Sequence, residues 1–163
     1  NYNPLGALYL DAECEKEDFQ SPNAVILGHS LRIGGAITCF GNIQNYSDKT
    51  FASEHAKVLI QTPEKKMRYT VRFANIVKGW EPTKRTAFAG ESDFRSWYDS
   101  SRESAAMVLD TDSEPNQVIS LVSCSYNFWK QNERTVVTTS IEKKQAQTET
   151  VLTESRQTGS GAE

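Results

Sequence analysis

The stretch "QVISLVSCSYNFWKQNERTVVTTS", residues 117 to 140, sets two β-branched runs on either side of a polar and aromatic interval. "QVISLVSC" (117 to 124) and "RTVVTTS" (134 to 140) are rich in side chains that pack well on a pleated surface, and they read as two neighbouring strands. The interval of nine residues, 125 to 133, is longer than a tight hairpin and marks a loop of the kind on which sites are built. Cys124 closes the first run and Arg134 opens the second, so a thiol and a guanidinium face the same loop.

Upstream, further strands are legible. "GALYLD" (6 to 11) and "NAVILGH" (23 to 29) are short apolar runs separated by a charged segment. "KVLIQTP" (57 to 63) and "MRYTVRFANIVKG" (67 to 79) are joined through "PEKK" as a hairpin. The second alternates, with Met67, Tyr69, Val71 and Phe73 on one face and Arg68, Thr70 and Arg72 on the other. Between the two pairs, Phe40, Ile43 and Tyr46 fall at near-helical spacing, and Asp48 is placed to cap a second short helix carrying Phe51 and His55. "ESDFRSWYDSSRESAAMV" (91 to 108) is the strongest helix, with Ser92 as its N-cap and Phe94, Trp97 and Tyr98 as a core-facing stripe. The order predicts a mostly β, largely antiparallel barrel or sandwich with peripheral helices, one of them at about 91–105, inserted before the last two strands. Residues 1–140 form its domain. From Glu142 the chain loses aromatics and ends in Gly and Ser, so 141–163 is expected to be a disordered tail.

Composition narrows the function. With 163 residues, 37% hydrophobic and 24% charged, the chain suits one globular domain, and its net charge of −3 offers no basic footprint for nucleic acid. No run approaches the ~18 apolar residues of a membrane-spanning helix, and no charged, apolar and small-residue pattern in these residues marks a signal peptide. The three cysteines, Cys14, Cys39 and Cys124, include no C-x-x-C pair, which argues against a zinc site or a disulfide framework; a Cys14–Cys39 bridge stays open. "DTDSE" (110 to 114) lacks the glycine and spacing of a calcium loop and reads as a solvated turn. No metal or cofactor is implied.

A thiol becomes a nucleophile only as thiolate, so it needs a neighbouring base or cation. Of the two histidines, His29 ends the run "AVILGH" beside the flexible Gly28, whereas His55 lies in a polar turn and faces solvent. Taken singly, Cys124, His29 and Arg134 have bland readings: an inert core thiol, a hydrogen-bonded structural histidine and a surface charge. Their shared position at strand ends favours a site.

The combination resembles the sortases. "SLVSC" followed ten residues later by Arg134 is similar to the family signature of a Thr-Leu-x-Thr-Cys strand end and an arginine on the next strand. "NAVILGHS" resembles the strand that ends in Gly-His, and "GALYLD" a Gly-x-x-Phe-x-Asp strand. The Phe40, Ile43, Tyr46 spacing, the Phe51-x-x-x-His55 turn, the "TP-x-x-x-x-x-Y" hairpin and the helix at 91 to 108 resemble class B landmarks. The likeness covers about residues 3 to 140, with the family's N-terminal anchor, first helices and first strand having no counterpart, which leaves a barrel open at one edge.

The resemblance implies a cysteine transpeptidase on the outer face of a Gram-positive cell membrane. Cys124 would attack the threonine carbonyl of a sorting motif in a surface protein, and an amine from peptidoglycan or a pilin would resolve the thioacyl enzyme. His29 would serve as acid and base; Arg134, with the N–H of Ser125, would stabilise the oxyanion. Ser120 and Ser123 stand where the family pattern has threonine; they keep the hydroxyl and lose the stiffening methyl. Two other readings remain: a sortase-fold remnant that only binds peptide, and a β-barrel binding module in which the three side chains lie scattered.

Overall fold

The computed structural model describes residues 7–14, 19–33, 36–79, 84–110, 114–125 and 132–141. The expected tail, the "DTDSE" turn's centre and residues 126–131 of the loop after Cys124 lie outside the described residues.

The "NAVIL" run forms β2 (Asn23–Leu27), which follows a short β1 (Tyr9–Leu10). β3 (Arg32–Ile33) and β4 (Ala36–Ile37) pair with each other, a small ribbon that the sequence reading did not anticipate. A 3-10 turn (Ile43–Ser47) and α1 (Lys49–Glu54) follow, then β5 (Lys57–Gln61) and the long β6 (Lys66–Lys78). Next come α2 (Glu91–Glu103), β7 (Met107–Val108), β8 (Val118–Ser125) and β9 (Glu133–Ile141). The main sheet runs β1-β2-β8-β9-β6-β5, with β7 on β6. Its pairs are antiparallel except β2 with β8, which run parallel from Asn23↔Val118 to Leu27↔Val122. The structure is thus a curled, mostly β sheet with few helices, as expected from the element order.

Period-two alternation divides the sheet into two faces. Ala24, Ile26, Ile119, Leu121 and Val137 bury one face against Phe40, Ile43 of the 3-10 turn and Ala52 of α1. Val25, Val122 and Val136 form the other, with Leu27, Val77 and Cys14 packed beside them. β8 is therefore covered on both sides, which explains why its run is continuously apolar or small. Asp48 caps α1 as expected, its carboxylate accepting the Phe51 N–H at 2.8 Å.

Two local expectations are corrected. The ladder of β6 with β9 skips a residue between Val71 and Phe73, so the alternation breaks there. Val71 faces the large core with Tyr69, whereas Phe73 turns to the opposite side and packs with Phe94 and Tyr98 of α2. The extra residue, Arg72, donates from Nε to Ser140 Oγ at 2.7 Å and pairs with Asp110. Ser92 is not the N-cap of α2; Gly90 holds that position at φ 157°, and Ser92 lies inside the helix. No side chain caps this end; Asp93 in the first turn instead ties the helix to the segment before it, accepting the Ala89 N–H at 3.0 Å and pairing with Arg85 at 2.5 Å.

Candidate active site

The register assembles the candidate residues. Cys124 lies directly opposite Arg134 in the antiparallel β8–β9 ladder, so both side chains leave the same face of the sheet. On the other side of β8, the parallel register ends at Leu27↔Val122 and is extended by Gly28 N–H donating to the Val122 carbonyl at 3.1 Å. By residue count that register sets His29 level with Cys124, two residues past the end of β2. Thus the strand ends that lead to His29, Cys124 and Arg134, up to 105 positions apart in the chain, lie side by side in the sheet.

Hydrogen bonds fix the chain around them. Ser123 Oγ donates to the Gly28 carbonyl at 2.7 Å, tying the residue before the thiol to the residue before the imidazole. Ser120 Oγ donates to Asn23 Oδ1 at 2.8 Å lower on the same strand pair. Both serines therefore use the hydroxyl that the family's threonines also carry. Past His29 the chain is held by Thr38, whose hydroxyl donates to the His29 carbonyl and accepts the Leu31 N–H at 3.0 Å. Gly28 is required by close approach: a Cβ there would lie 2.5 Å from Leu8 Cδ2 and 2.7 Å from Phe40 Cδ2.

Arg134 is half-buried, and its Nη1 donates to the Glu133 carbonyl at 2.9 Å. Gly79 leaves room beside it, since a Cβ at Gly79 would stand 3.4 Å from that nitrogen and 2.1 Å from Asn132 Oδ1. Cys124 is likewise half-buried and His29 exposed, so a substrate can reach all three. Backbone direction bears on Ser125. Val118 N–H donates to Pro22 O at 2.9 Å and the Val122 carbonyl accepts from Gly28, so even-numbered residues of β8 face β2. Ser125 therefore directs its N–H towards β9.

A cleft of about 180 Å³ opens on the same face, lined by Asn75, Val77, Lys84, Trp97, Ser101 and Val136 among others. Val77 is the rung partner of Arg134 on β6, and Val136 lies two residues along β9, so the cleft leads to the site. Its far wall is α2, fastened to the sheet by Asn75 Nδ2 donating to the Ser101 carbonyl at 2.8 Å. Lys84 on its rim pairs with Asp11 at 2.5 Å and Glu13 at 3.2 Å. Burial alone would raise the Asp11 pKa, but the Lys84 hydrogen bond, the Glu13 N–H and the Lys84 charge together lower it; Lys84 is raised, chiefly by its hydrogen bond to Asp11. All three cysteines are free, so Cys14 and Cys39 are not bridged. His55 is exposed at the end of α1, away from this group. Thr38, Gly79 and Glu133 were missed by sequence reading. Only the glycine beside a strand end carried a local signal, because the other two act through contacts with distant segments.

Comparisons with known proteins give the family and the fold. A sortase-domain family model matches residues 3–142, and the chain belongs to the sortase family. Its fold is similar to that of solved class B sortases. The Staphylococcus aureus sortase B–substrate complex aligns with a TM-score of 0.71 at 19% identity, over 87% of this chain and 64% of that one. Sortase B from the type II pilus of Streptococcus pneumoniae gives 0.70 at 22% identity, over 83% and 76%. Sortase B of Clostridium perfringens gives 0.69 at 20%, over 83% and 72%. The chain thus spans under two thirds of the Staphylococcus aureus chain. No curated protein sequence gives a significant match.

Proposed function

We propose that the protein is a class B-like sortase, a cysteine transpeptidase that cleaves a sorting motif near the C-terminus of surface proteins. The observation that carries this reading is the strand register: in a sortase-family chain, Cys124 and Arg134 form one rung, and the strand on the other side of Cys124 ends at Leu27, two residues before His29. Scattered side chains, as a generic binding module would have, do not fit that register.

In the proposed reaction the Cys124 thiolate adds to the threonine carbonyl of the motif. The tetrahedral oxyanion is met by the Arg134 guanidinium. Because the Ser125 N–H points into the β9 ladder, the larger share of that task falls to Arg134. Collapse breaks the C–N bond as His29 protonates the departing amine, leaving a thioester on Cys124. An incoming amine, from a peptidoglycan cross-bridge or a pilin lysine, then loses its proton to His29 and displaces the thiolate. The cleft between the sheet and α2 supports an extended peptide lying across Val136 and Val77 towards the thiol. Place follows family: the cell surface of a Gram-positive bacterium.

The test is a panel of sorting-motif peptides, read by cleavage and by intact-protein mass. Wild-type protein is expected to carry a thioacyl adduct and Cys124→Ala to lose both adduct and turnover. Arg134→Ala is expected to lower kcat by ~10²–10³-fold. Turnover retained in Cys124→Ala sinks the reading, and reversible binding with no adduct favours a peptide-binding remnant.

A further inference from the structure

Glu133 is a buried ionisable group that the proposed chemistry does not use. It opens β9 one residue before Arg134, and its relative exposure is 0%, as is that of Ser125, its partner across the ladder. Ser125 Oγ donates to Glu133 Oε1 at 2.6 Å, the length of a charge-assisted O–H···O⁻ bond. Lys78 is its rung partner on β6. A carboxylate taken fully out of water is costly unless its lone pairs are met, so the residue is an expensive choice for a strand end on stability grounds alone.

Its position gives it a use. Side chains alternate along a strand, so Ser125 and Glu133 meet on the face opposite Cys124 and Arg134, in the adjoining rung. The Glu133 main-chain carbonyl meanwhile accepts Arg134 Nη1 at 2.9 Å. One residue thus holds β8 just after the thiol with its side chain, and seats the guanidinium with its backbone. Terminal rungs fray readily, and this rung is the last of the β8–β9 ladder among the described residues.

We propose that Glu133 is a positioning residue: its tie to Ser125 locks the last β8–β9 rung and so keeps the Arg134 guanidinium beside the Cys124 thiol. This rests on the assignment of Cys124 and Arg134 made above. The tie acts as a hydrogen bond, so an amide at 133 serves as well as a carboxylate.

The experiment reads the charge felt at Cys124 without any peptide. In a Cys14→Ser, Cys39→Ser background, Cys124 is alkylated at one fixed neutral pH with anionic iodoacetate and with neutral iodoacetamide, and the ratio of the two rates is taken. Arg134→Ala is expected to lower the ratio several-fold, and Glu133→Ala to lower it about threefold or more, because the cation drifts from the thiol. Glu133→Gln stays at or above the parent ratio, since it keeps the acceptor and removes a negative charge. Simple loss of the Glu133 charge would raise the ratio, so the sign separates positioning from electrostatics. An unchanged or raised ratio in Glu133→Ala, or an unchanged one in Arg134→Ala, overturns the inference. If Glu133→Ala does not fold, Ser125→Ala decides: a lowered ratio supports the tie, an unchanged ratio overturns it. Peptide cleavage by the parent protein is scored separately. Its absence defeats the transpeptidase reading alone, while the alkylation ratio still judges Glu133.

Discussion

Ser123 shows how much a single hydroxyl does here. It is 2% exposed, and its bond to the Gly28 carbonyl joins the strand ends that carry Cys124 and His29. Ser123→Ala leaves that carbonyl without this donor. It is expected to cost about 1 kcal/mol or somewhat more in urea unfolding, and to lower kcat further than a stability loss explains. Ser123→Thr keeps the donor and stays near the parent. Gly28 is the complementary case, set by space where Ser123 is set by a bond: any side chain meets Leu8 and Phe40. At this scale the sequence pointed well to Cys124, His29 and Arg134, because each residue type carries its own chemistry. It could not point to Glu133. A carboxylate between Asn132 and Arg134 reads as a solvated loop charge, and only the fold around it removes it from water.

Among the elements, α1 followed local rules and β6 did not. Asp48 supplies a side-chain cap to a helix of six residues, Lys49–Glu54, too short to persist by propensity alone. Asp48→Ala is expected to destabilise the protein by about 1 kcal/mol, seen as a lower thermal midpoint and faster amide exchange at Phe51. β6 kept its alternation only to Val71. The bulge at Arg72 turns Phe73 onto the α2 side and leaves Ala74 for the core with Met107. No period in the sequence announces that slip, because it is set by competition between two packed faces. The start of α2 differed for a related reason. Ser92 offered a cap, but Asp93 reaches both the Ala89 N–H and Arg85, and the helix begins so as to satisfy it.

For the molecule as a whole, a long-range ion pair at the cleft's rim joins Asp11, just after β1, to Lys84 in the segment before α2. The folded Asp11 pKa lies below its ordinary value of 3.8, so the unfolded chain takes up that proton at higher pH. The pair's stabilisation is therefore complete above the ordinary value and is lost as pH falls through the folded one. Lys84, raised above 10.5, mirrors this: its share is present below 10.5 and is lost as pH rises through the folded value. Lys84→Met is expected to cost about 1 kcal/mol at neutral pH, with the gap from the parent closing as pH falls through the lowered Asp11 value when urea midpoints are compared. The described sheet's path begins at β1 and ends at β5, where Tyr9 and Leu59 are 55% and 64% exposed. By itself the sequence determined the longer strands, the main helix and the identity of the thiol, imidazole and guanidinium, since strand pattern and side-chain chemistry are local properties; it missed β3, β4 and β7, whose Met107 and Val108 read as the end of the helix. The tertiary structure decided that β2 lies parallel to β8, although Leu27 and Val122 are 95 residues apart, and that a glutamate ends inside the sheet. Both outcomes are fixed by burial and backbone pairing between distant segments, and neither leaves a mark on the residues nearby in the chain.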